Sequence, residues 1–155
     1  MSGPAPSPAA DFDPKYWVAG TRVRTPRFLH AMIRVSSFDA ALRFYVTGLG
    51  MQVVERFELE AKRVSSLFIG FGDHPEGGLI ELIHSWDADT AGAIGTGSGH
   101  VAIGVPDVPA VVARVEALGA EVTVRPTPYF AGGPLIAFVK DLDGHAVELV
   151  QSWKE

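Results

Sequence analysis

Two strands and the turn between them can be read from residues 135–150, LIAFVKDLDGHAVELV. The runs LIAFV and AVELV are rich in branched and aromatic side chains, which favour β-strands. Aspartate and glycine in DLDG, residues 141–144, are typical of a tight turn. The pattern therefore predicts a β-hairpin whose second strand carries one carboxylate, Glu148, among apolar residues.

The residues before this hairpin predict one more helix and two more strands. The strand, helix and strand are residues 100–105, 109–118 and 121–124. The first strand begins with His100, while Asp107 can cap the helix at its start and Gly119 can end it. The second part of the chain therefore has the order β-α-β-β-β.

The same order occurs earlier in the chain. A strand, a helix and three strands are predicted at residues 28–35, 38–46, 51–57, 63–69 and 78–84. The opening strands carry His30 and His100, 70 residues apart, and the closing strands carry Glu81 and Glu148, 67 residues apart. This internal duplication predicts an α+β fold of two tandem βαβββ modules, at about residues 28–90 and 99–151.

The amino-acid composition excludes several kinds of partner and chemistry and indicates the expected cellular location. The formal net charge is -5, and no cluster of lysine or arginine appears that could follow a nucleic-acid backbone. There is no cysteine, which excludes disulfides and thiolate catalysis. No apolar run approaches the ~20 residues of a membrane span, and the start does not resemble a secretory signal. We therefore expect no membrane partner and a cytoplasmic location. Residues 1–27 are expected to form an extended N-terminal segment, because four prolines fall in its first fourteen residues.

The duplication places four metal-binding side chains at matched positions in otherwise apolar strands. Side chains two residues apart share a face of a strand, so each of the four points the same way as apolar neighbours. A carboxylate there costs several kcal/mol to bury unless its charge is compensated, and a shared cation would do so. Imidazole and carboxylate suit Ni²⁺, Co²⁺, Fe²⁺ or Zn²⁺. The predicted ligands are His30, Glu81, His100 and Glu148.

A single histidine at the start of a strand is more often a hydrogen-bonded edge residue than a metal ligand. Four ligand types at matched positions of a duplication favour the metal instead. The other histidines, His74, His84 and His145, do not share this pattern, and we expect structural roles for them.

Several segments together resemble the vicinal oxygen chelate superfamily, and within it the bacterial glyoxalase I (lactoylglutathione lyase) enzymes. The segments are FLHAMIRV at 28–35, FY at 44–45, LGM at 49–51, LIEL at 79–82, GHVAI at 99–103 and IAFVKDLDGHAVEL at 136–149. The resemblance covers about residues 28–151.

The resemblance implies an activity and an assembly. Glyoxalase I isomerises the hemithioacetal of methylglyoxal and glutathione to a lactoyl thioester, which detoxifies methylglyoxal. By this resemblance, Glu148 is the expected catalytic base and Glu81 its partner on the other face of the substrate. One divalent metal is expected per site, with nickel or cobalt preferred over zinc. The active sites of a homodimer would combine His30 and Glu81 of one chain with His100 and Glu148 of the other.

Three residues occupy positions where the family contacts its thiol. Arg34 stands where the family places a cation. Ser85 stands in place of an asparagine, and Phe130 in place of a lysine. By this resemblance the three residues are the expected substrate contacts, and glutathione or another thiol is the expected co-substrate.

Two kinds of alternative remain open at this point. The first is another metal-dependent enzyme of the same fold: an epimerase, a thiol transferase or a dioxygenase. A dioxygenase iron site needs three protein ligands with open positions, whereas this chain offers four. The second is a metal-free ligand-sequestering module, which would not need the four ligands.

Overall fold

The computed structural model of the chain describes residues 28–72, 78–87 and 99–151. The N-terminal segment 1–27, His74 and residues 91–98 of the glycine-rich stretch lie outside this part of the chain, and what the sequence predicts for them stays a prediction. The described residues fall into two compact units. The first contains residues 28–36, 50–72 and 78–87, and the second contains residues 37–49 and 99–151.

The first unit is built on a four-stranded sheet. Its strands are β1 (His30–Arg34), β2 (Gln52–Leu59), β3 (Val64–Gly70) and β4 (Leu79–Ser85). Their order in the sheet is β1-β4-β3-β2. Strand β1 runs parallel to β4, and the other neighbours are antiparallel. Because β1 and β4 are parallel neighbours, residues on one face of each strand lie side by side.

The second unit repeats this topology. Its strands are β5 (Val101–Val105), β6 (Glu121–Pro128), β7 (Leu135–Lys140) and β8 (Ala146–Gln151). Their order in the sheet is β5-β8-β7-β6. Strands β5 and β8, the first and last along the chain, are again parallel neighbours. The α+β fold with a duplicated arrangement of strands is confirmed.

The second unit also contains both α-helices, α1 (Phe38–Leu42) and α2 (Val108–Ala117). Each begins at a polar cap: the Ser37 hydroxyl accepts a hydrogen bond from the Ala40 amide at 3.4 Å, and the Asp107 carboxylate accepts one from the Ala110 amide at 2.9 Å. Among the described residues no helix is long and apolar enough to cross a membrane.

The first helix does not stay α-helical to residue 46. Residues Arg43–Gly48 form a π-helix that continues directly from α1. A Cβ on Gly48 would lie 2.9 Å from Val115 Cγ1, and Arg114 Nε donates a hydrogen bond to the Gly48 carbonyl at 2.6 Å. Close approach of α2 therefore requires glycine at this position.

The segment between β2 and β3 contains a turn that the sequence pattern does not predict. Residues Glu60–Lys62 form a short 3₁₀ helix, and Arg63 follows in the left-handed region with φ 51°. Non-glycine residues adopt this conformation uncommonly. Strand β6 also extends to Pro128, four residues beyond the predicted end.

Apolar residues of the second unit form its core. Helix α2 buries four valines, and the sheet contributes further buried side chains from β7 and β8. The buried residues are Val108, Val111, Val112, Val115, Ala137, Val139, Val147 and Leu149. At about 1.5–3 kcal/mol for each large apolar side chain removed from water, this core is the main source of stability for the unit.

A polar cluster is packed beside this core. The Tyr45 hydroxyl, fully buried on the π-helix, donates a hydrogen bond to Asp141 Oδ2 at 2.8 Å. His145 Nδ1 lies 2.9 Å from the same oxygen, and the amides of Asp143 and His145 donate to Asp141 Oδ1. His145 therefore has the structural role expected for it, and Asp141 joins the turn before β8 to the π-helix.

All three side chains of the cluster have a shifted pKa, and burial together with the nearby Asp141 carboxylate raises that of Tyr45. Burial pulls the pKa of Asp141 upward, but the hydrogen bonds from His145 and Tyr45 outweigh burial and leave this pKa lowered. The hydrogen bond to Asp141 raises the pKa of His145 above its usual 6.5, against the opposing effect of burial. The Asp141 contribution to stability is therefore present above its ordinary pKa and lost as pH falls through the lowered value. The His145 contribution is full below pH 6.5 and lost as pH rises through the raised value.

We expect His145→Asn to flatten the pH dependence of stability above neutrality. In the wild type, the free energy of unfolding should fall by up to about 1.4 kcal/mol per pH unit as His145 loses its proton above pH 6.5. Urea denaturation of both proteins at several pH values between 6 and 9 measures this slope. An equal slope in the two proteins would contradict the role of the His145–Asp141 pair.

Candidate active site

The first histidine–glutamate pair lies on the parallel neighbours β1 and β4. The register sets Met32 beside Glu81, so His30 is one step along the same face. His30 Nε2 lies 3.3 Å from Glu81 Oε2. The His30 ring meets the Phe68 ring edge to face at 5.2 Å. Parallel pairing and side-chain alternation are therefore enough to bring the imidazole to the carboxylate.

The second pair repeats this arrangement. His100 lies just before β5, and the register sets Ala102 beside Glu148. His100 Nε2 lies 3.1 Å from Glu148 Oε2, and the His100 ring meets Phe138 edge to face at 5.4 Å. The duplication seen in the sequence is therefore preserved in the side-chain contacts.

Each pair has the spacing of two ligands on one cation. Metal–ligand bonds of about 2.0–2.2 Å that meet at roughly 90–110° place their ligand atoms about 2.8–3.6 Å apart. The measured separations of 3.3 and 3.1 Å fall in this range. The glutamate side chains are mostly shielded from solvent, 17% exposed for Glu81 and 16% for Glu148. Imidazole nitrogen with carboxylate oxygen is a donor set that fits a divalent transition metal.

Glu81 has a second partner that the sequence analysis did not find. The Ser66 hydroxyl, on β3, donates a hydrogen bond to Glu81 Oε1 at 2.7 Å. Ser66 is two residues before Phe68, the cross-strand neighbour of Glu81, so it lies on the same face of the sheet. Side-chain alternation could have placed it there, but only once the β3–β4 register was known.

His30 makes its polar contact through one ring nitrogen. Within the described part of the chain, Nδ1 is buried and has no hydrogen-bond partner. No group of three or more histidine, aspartate or glutamate side chains that could hold a metal occurs among the described residues. Each histidine–glutamate pair supplies two candidate ligands.

A cavity of about 510 Å³ opens on the face of the first sheet that carries Glu81. This volume is within the range of small-molecule sites. Its polar lining residues are Arg34, Lys62, Glu81, Ser85 and Asp87, and the others are apolar. The structure therefore brings Arg34 and Ser85, both predicted substrate contacts, to the same cavity as Glu81. Lys62 and Asp87 line it as well and were not predicted.

An ion pair stands at the edge of this cavity. Arg63 makes two-pronged hydrogen bonds to Asp87, with Nη2 2.8 Å from Oδ1 and Nε 2.9 Å from Oδ2. These hydrogen bonds lower the pKa of Asp87 and raise that of Arg63. The Arg63 guanidinium also lies over the Trp86 ring, 5.8 Å from its centre. The Arg63 side chain thus links the β2–β3 turn to the residues that follow β4.

The third predicted substrate contact, Phe130, belongs to the second unit. It lies between β6 and β7, more than half exposed, with its ring against that of Tyr129. The Gly133 amide donates a hydrogen bond to the Phe130 carbonyl at 2.7 Å, which closes a tight turn.

Comparison with known proteins places the chain in a family. A family model described as the Glyoxalase/Bleomycin resistance protein/Dioxygenase superfamily matches residues 27–149. The chain belongs to this superfamily. The family predicted from the sequence is thereby confirmed.

Individual relatives of this superfamily member carry glyoxalase I names. The chain is 40% identical over 126 residues to a protein of Vibrio parahaemolyticus named probable lactoylglutathione lyase, covering 81% of this chain and 91% of that one. It resembles the crystal structure of glyoxalase I from Zea mays with a TM-score of 0.73 and 33% identity, covering 83% of this chain and 45% of the plant chain. The trypanothione-dependent glyoxalase I of Leishmania major gives a TM-score of 0.71 at 30% identity, covering 82% of this chain and 87% of that one. The chain thus spans most of the bacterial relative and about half the length of the plant proteins.

Proposed function

We propose that this chain is a glyoxalase I, a lactoylglutathione lyase that isomerises the hemithioacetal of methylglyoxal and a thiol to the S-lactoyl thioester. The observation that carries the proposal is the matched geometry of the two histidine–glutamate pairs, at 3.3 and 3.1 Å. Its support is the 40% identity to a relative named probable lactoylglutathione lyase.

The proposed metal ligands are His30, Glu81, His100 and Glu148. Two ligands are fewer than the three or four protein ligands that are usual, so one pair needs another to complete a site. We propose that the pairs of two chains meet across a homodimer. A bound cation would polarise the adjacent oxygens of the substrate and stabilise the negative charge that develops there. By the family resemblance, nickel or cobalt is preferred over zinc.

The protein must move a proton between two neighbouring carbons of the substrate. Glu148 is the proposed base: it takes the proton from the carbon that bears the hydroxyl and the sulfur and gives it to the former carbonyl carbon, while the hydroxyl proton passes to the other oxygen. Glu81 is its proposed partner on the other face of the substrate. A carboxylate suits this task because it can accept a proton at one atom and release it after a small displacement of the substrate.

The cavity beside Glu81 is the proposed place for the thiol co-substrate. Arg34 and Lys62 give it two cationic groups, which fit a thiol that carries carboxylates. Ser85 is proposed as a further contact in this cavity. Phe130, which belongs to the second unit, is proposed as a substrate contact by the family resemblance alone. Glutathione is the first candidate, although a relative described as trypanothione-dependent shares this fold. A cytoplasmic location suits the reaction, because thiols are kept reduced there.

We expect the purified protein to bind about one divalent cation per subunit, and His100→Ala to lose it, because His100 would supply one of four ligands. Elemental analysis after reconstitution with Ni²⁺, Co²⁺ and Zn²⁺ in parallel measures the content. His84→Ala is the control and should keep the wild-type content, since His84 bonds to the Val35 carbonyl and belongs to neither pair. Full metal in His100→Ala would exclude this ligand set.

Glu148→Gln should abolish most of the turnover of the methylglyoxal–glutathione hemithioacetal. The substitution keeps the shape and one oxygen but removes the base, so we expect kcat to fall by about 10²–10⁴-fold. Steady-state kinetics of the metal-loaded protein measure the loss. Near wild-type turnover with metal bound would mean that Glu148 is not the base.

Arg34→Ala is the contrasting variant in the same assay. Its proposed contact to the thiol is equal in the ground and transition states, so KM should rise while kcat changes little. An equal fall of kcat in both variants would indicate a general loss of active protein.

Shared sites predict that two inactive variants restore activity when mixed. A heterodimer of His30→Ala and Glu148→Gln chains would have one site with both lesions and one intact site. Random exchange of subunits would then recover about a quarter of the wild-type activity. Absence of recovery after exchange has been verified by mass spectrometry of differently tagged subunits would count against sites built between chains.

A further inference from the structure

The two glutamates of the candidate site differ in one contact. Phe68 is the cross-strand neighbour of Glu81, and Phe138 is the neighbour of Glu148. Two residues earlier on the same face, the first unit has Ser66 and the second has Ile136. A hydroxyl donor thus stands beside one glutamate and a hydrocarbon stands at the matched position beside the other.

This difference leaves the two carboxylates with different freedom. Glu81 has both oxygens engaged, Oε1 by the Ser66 hydroxyl at 2.7 Å and Oε2 by His30 at 3.3 Å. Glu148 meets His100 through Oε2, and the described residues show no hydroxyl donor to its other oxygen. A carboxylate held at both oxygens keeps one side-chain conformation, whereas one held at a single oxygen can turn toward a substrate.

We propose that Ser66 is a positioning residue that fixes Glu81 in place as a metal ligand and leaves the movement of the proton to Glu148. This inference rests on the proposed function and extends it, because it gives the two matched glutamates separate tasks. The geometry of the pair alone, equal in both halves, does not distinguish them. The Ser66 hydroxyl does.

The neighbouring serine provides a matched control. Ser65 and Ser66 are both buried on β3, 4% and 1% exposed, and each donates a hydrogen bond to a glutamate. The Ser65 partner is Glu58, which belongs to neither pair, and Ser65 also accepts a hydrogen bond from Trp86 Nε1 at 2.8 Å. Ser66→Ala removes one hydrogen bond and Ser65→Ala removes two, so the effect of the control variant on folding should be at least as large.

The first test measures metal affinity without any turnover. Groups that hold a metal ligand in place typically contribute 10–100-fold to affinity, so Ser66→Ala should weaken Co²⁺ binding at least ~10-fold. Competition with a chelator gives the dissociation constants of wild type, Ser66→Ala and Ser65→Ala. Wild-type affinity in Ser66→Ala, or equal weakening in both variants, would overturn the proposal.

The second test asks whether the Ser66 hydroxyl restrains Glu81 during turnover. At saturating Co²⁺, Ser66→Ala added to Glu148→Gln should raise the residual kcat about 10-fold or more, because the freed Glu81 can take the proton. Ser65→Ala added to Glu148→Gln should not. No gain from Ser66→Ala in this background would overturn the assignment of separate tasks.

The reciprocal variant installs a hydroxyl beside Glu148. Ile136→Ser should lower kcat at saturating Co²⁺ about 10-fold relative to Ile136→Ala, which loses the same apolar side chain without gaining a donor. Equal kcat in these two variants would also overturn the proposal. Co²⁺ binding in the wild type without turnover of any hemithioacetal would reject the proposed function, while the affinity of Ser66→Ala would still decide whether Ser66 holds Glu81.

Discussion

A carboxylate among apolar residues of a strand needs a partner for its charge, and this need organises both halves of the candidate site. Glu81 and Glu148 lie in β4 and β8, the last strand of each sheet along the chain. Their neighbours within these strands are almost entirely apolar. The histidine at the start of the parallel first strand places its imidazole within 3.3 Å of the carboxylate in each unit. The βαβ connection, the parallel register and the alternation of side chains all act together on this one contact.

Duplication explains why the two pairs agree, and divergence after duplication explains where they differ. The glutamates, the histidines and the aromatic rings beside them are matched between the two sheets. Ser66 and Ile136 are not. A single side chain on the neighbouring strand is therefore enough to make two equivalent ligands unequal, with no change in the backbone that carries them.

Much of this could be predicted from the sequence because the signals are local or periodic. The Asp107 cap, the glutamates of the last strands and the repeated order of elements follow from spacing, and they were found where expected. The π-helix at Arg43–Gly48 was not predicted. Its residues contact distant parts of the chain, because Tyr45 bonds to Asp141 and α2 approaches Gly48 closely. Both are contacts between residues far apart in the chain.

Some residues that line the cavity or contact Glu81 could not be predicted from the sequence for a similar reason. Lys62 lines the cavity from a 3₁₀ turn that the sequence does not predict, because Arg63 and not glycine adopts the left-handed conformation there. The position of Ser66 beside Glu81 becomes evident only when the β3–β4 register is known. Resemblance to a family supplied Arg34 and Ser85, because those positions can be matched by motif.

Assignment of residues 37–49 to the second unit has a consequence for how the repeats could be taken apart. The described chain leaves the first unit after Ser36, returns to it at Gly50, and belongs to the second unit again from residue 99, so neither unit is a contiguous length of polypeptide. A fragment that begins at residue 99 would lack Phe44 and Tyr45, and Asp141 would lose its buried hydroxyl donor. The two units are consequently interleaved in the chain, whereas the two repeats of the sequence follow one another in tandem.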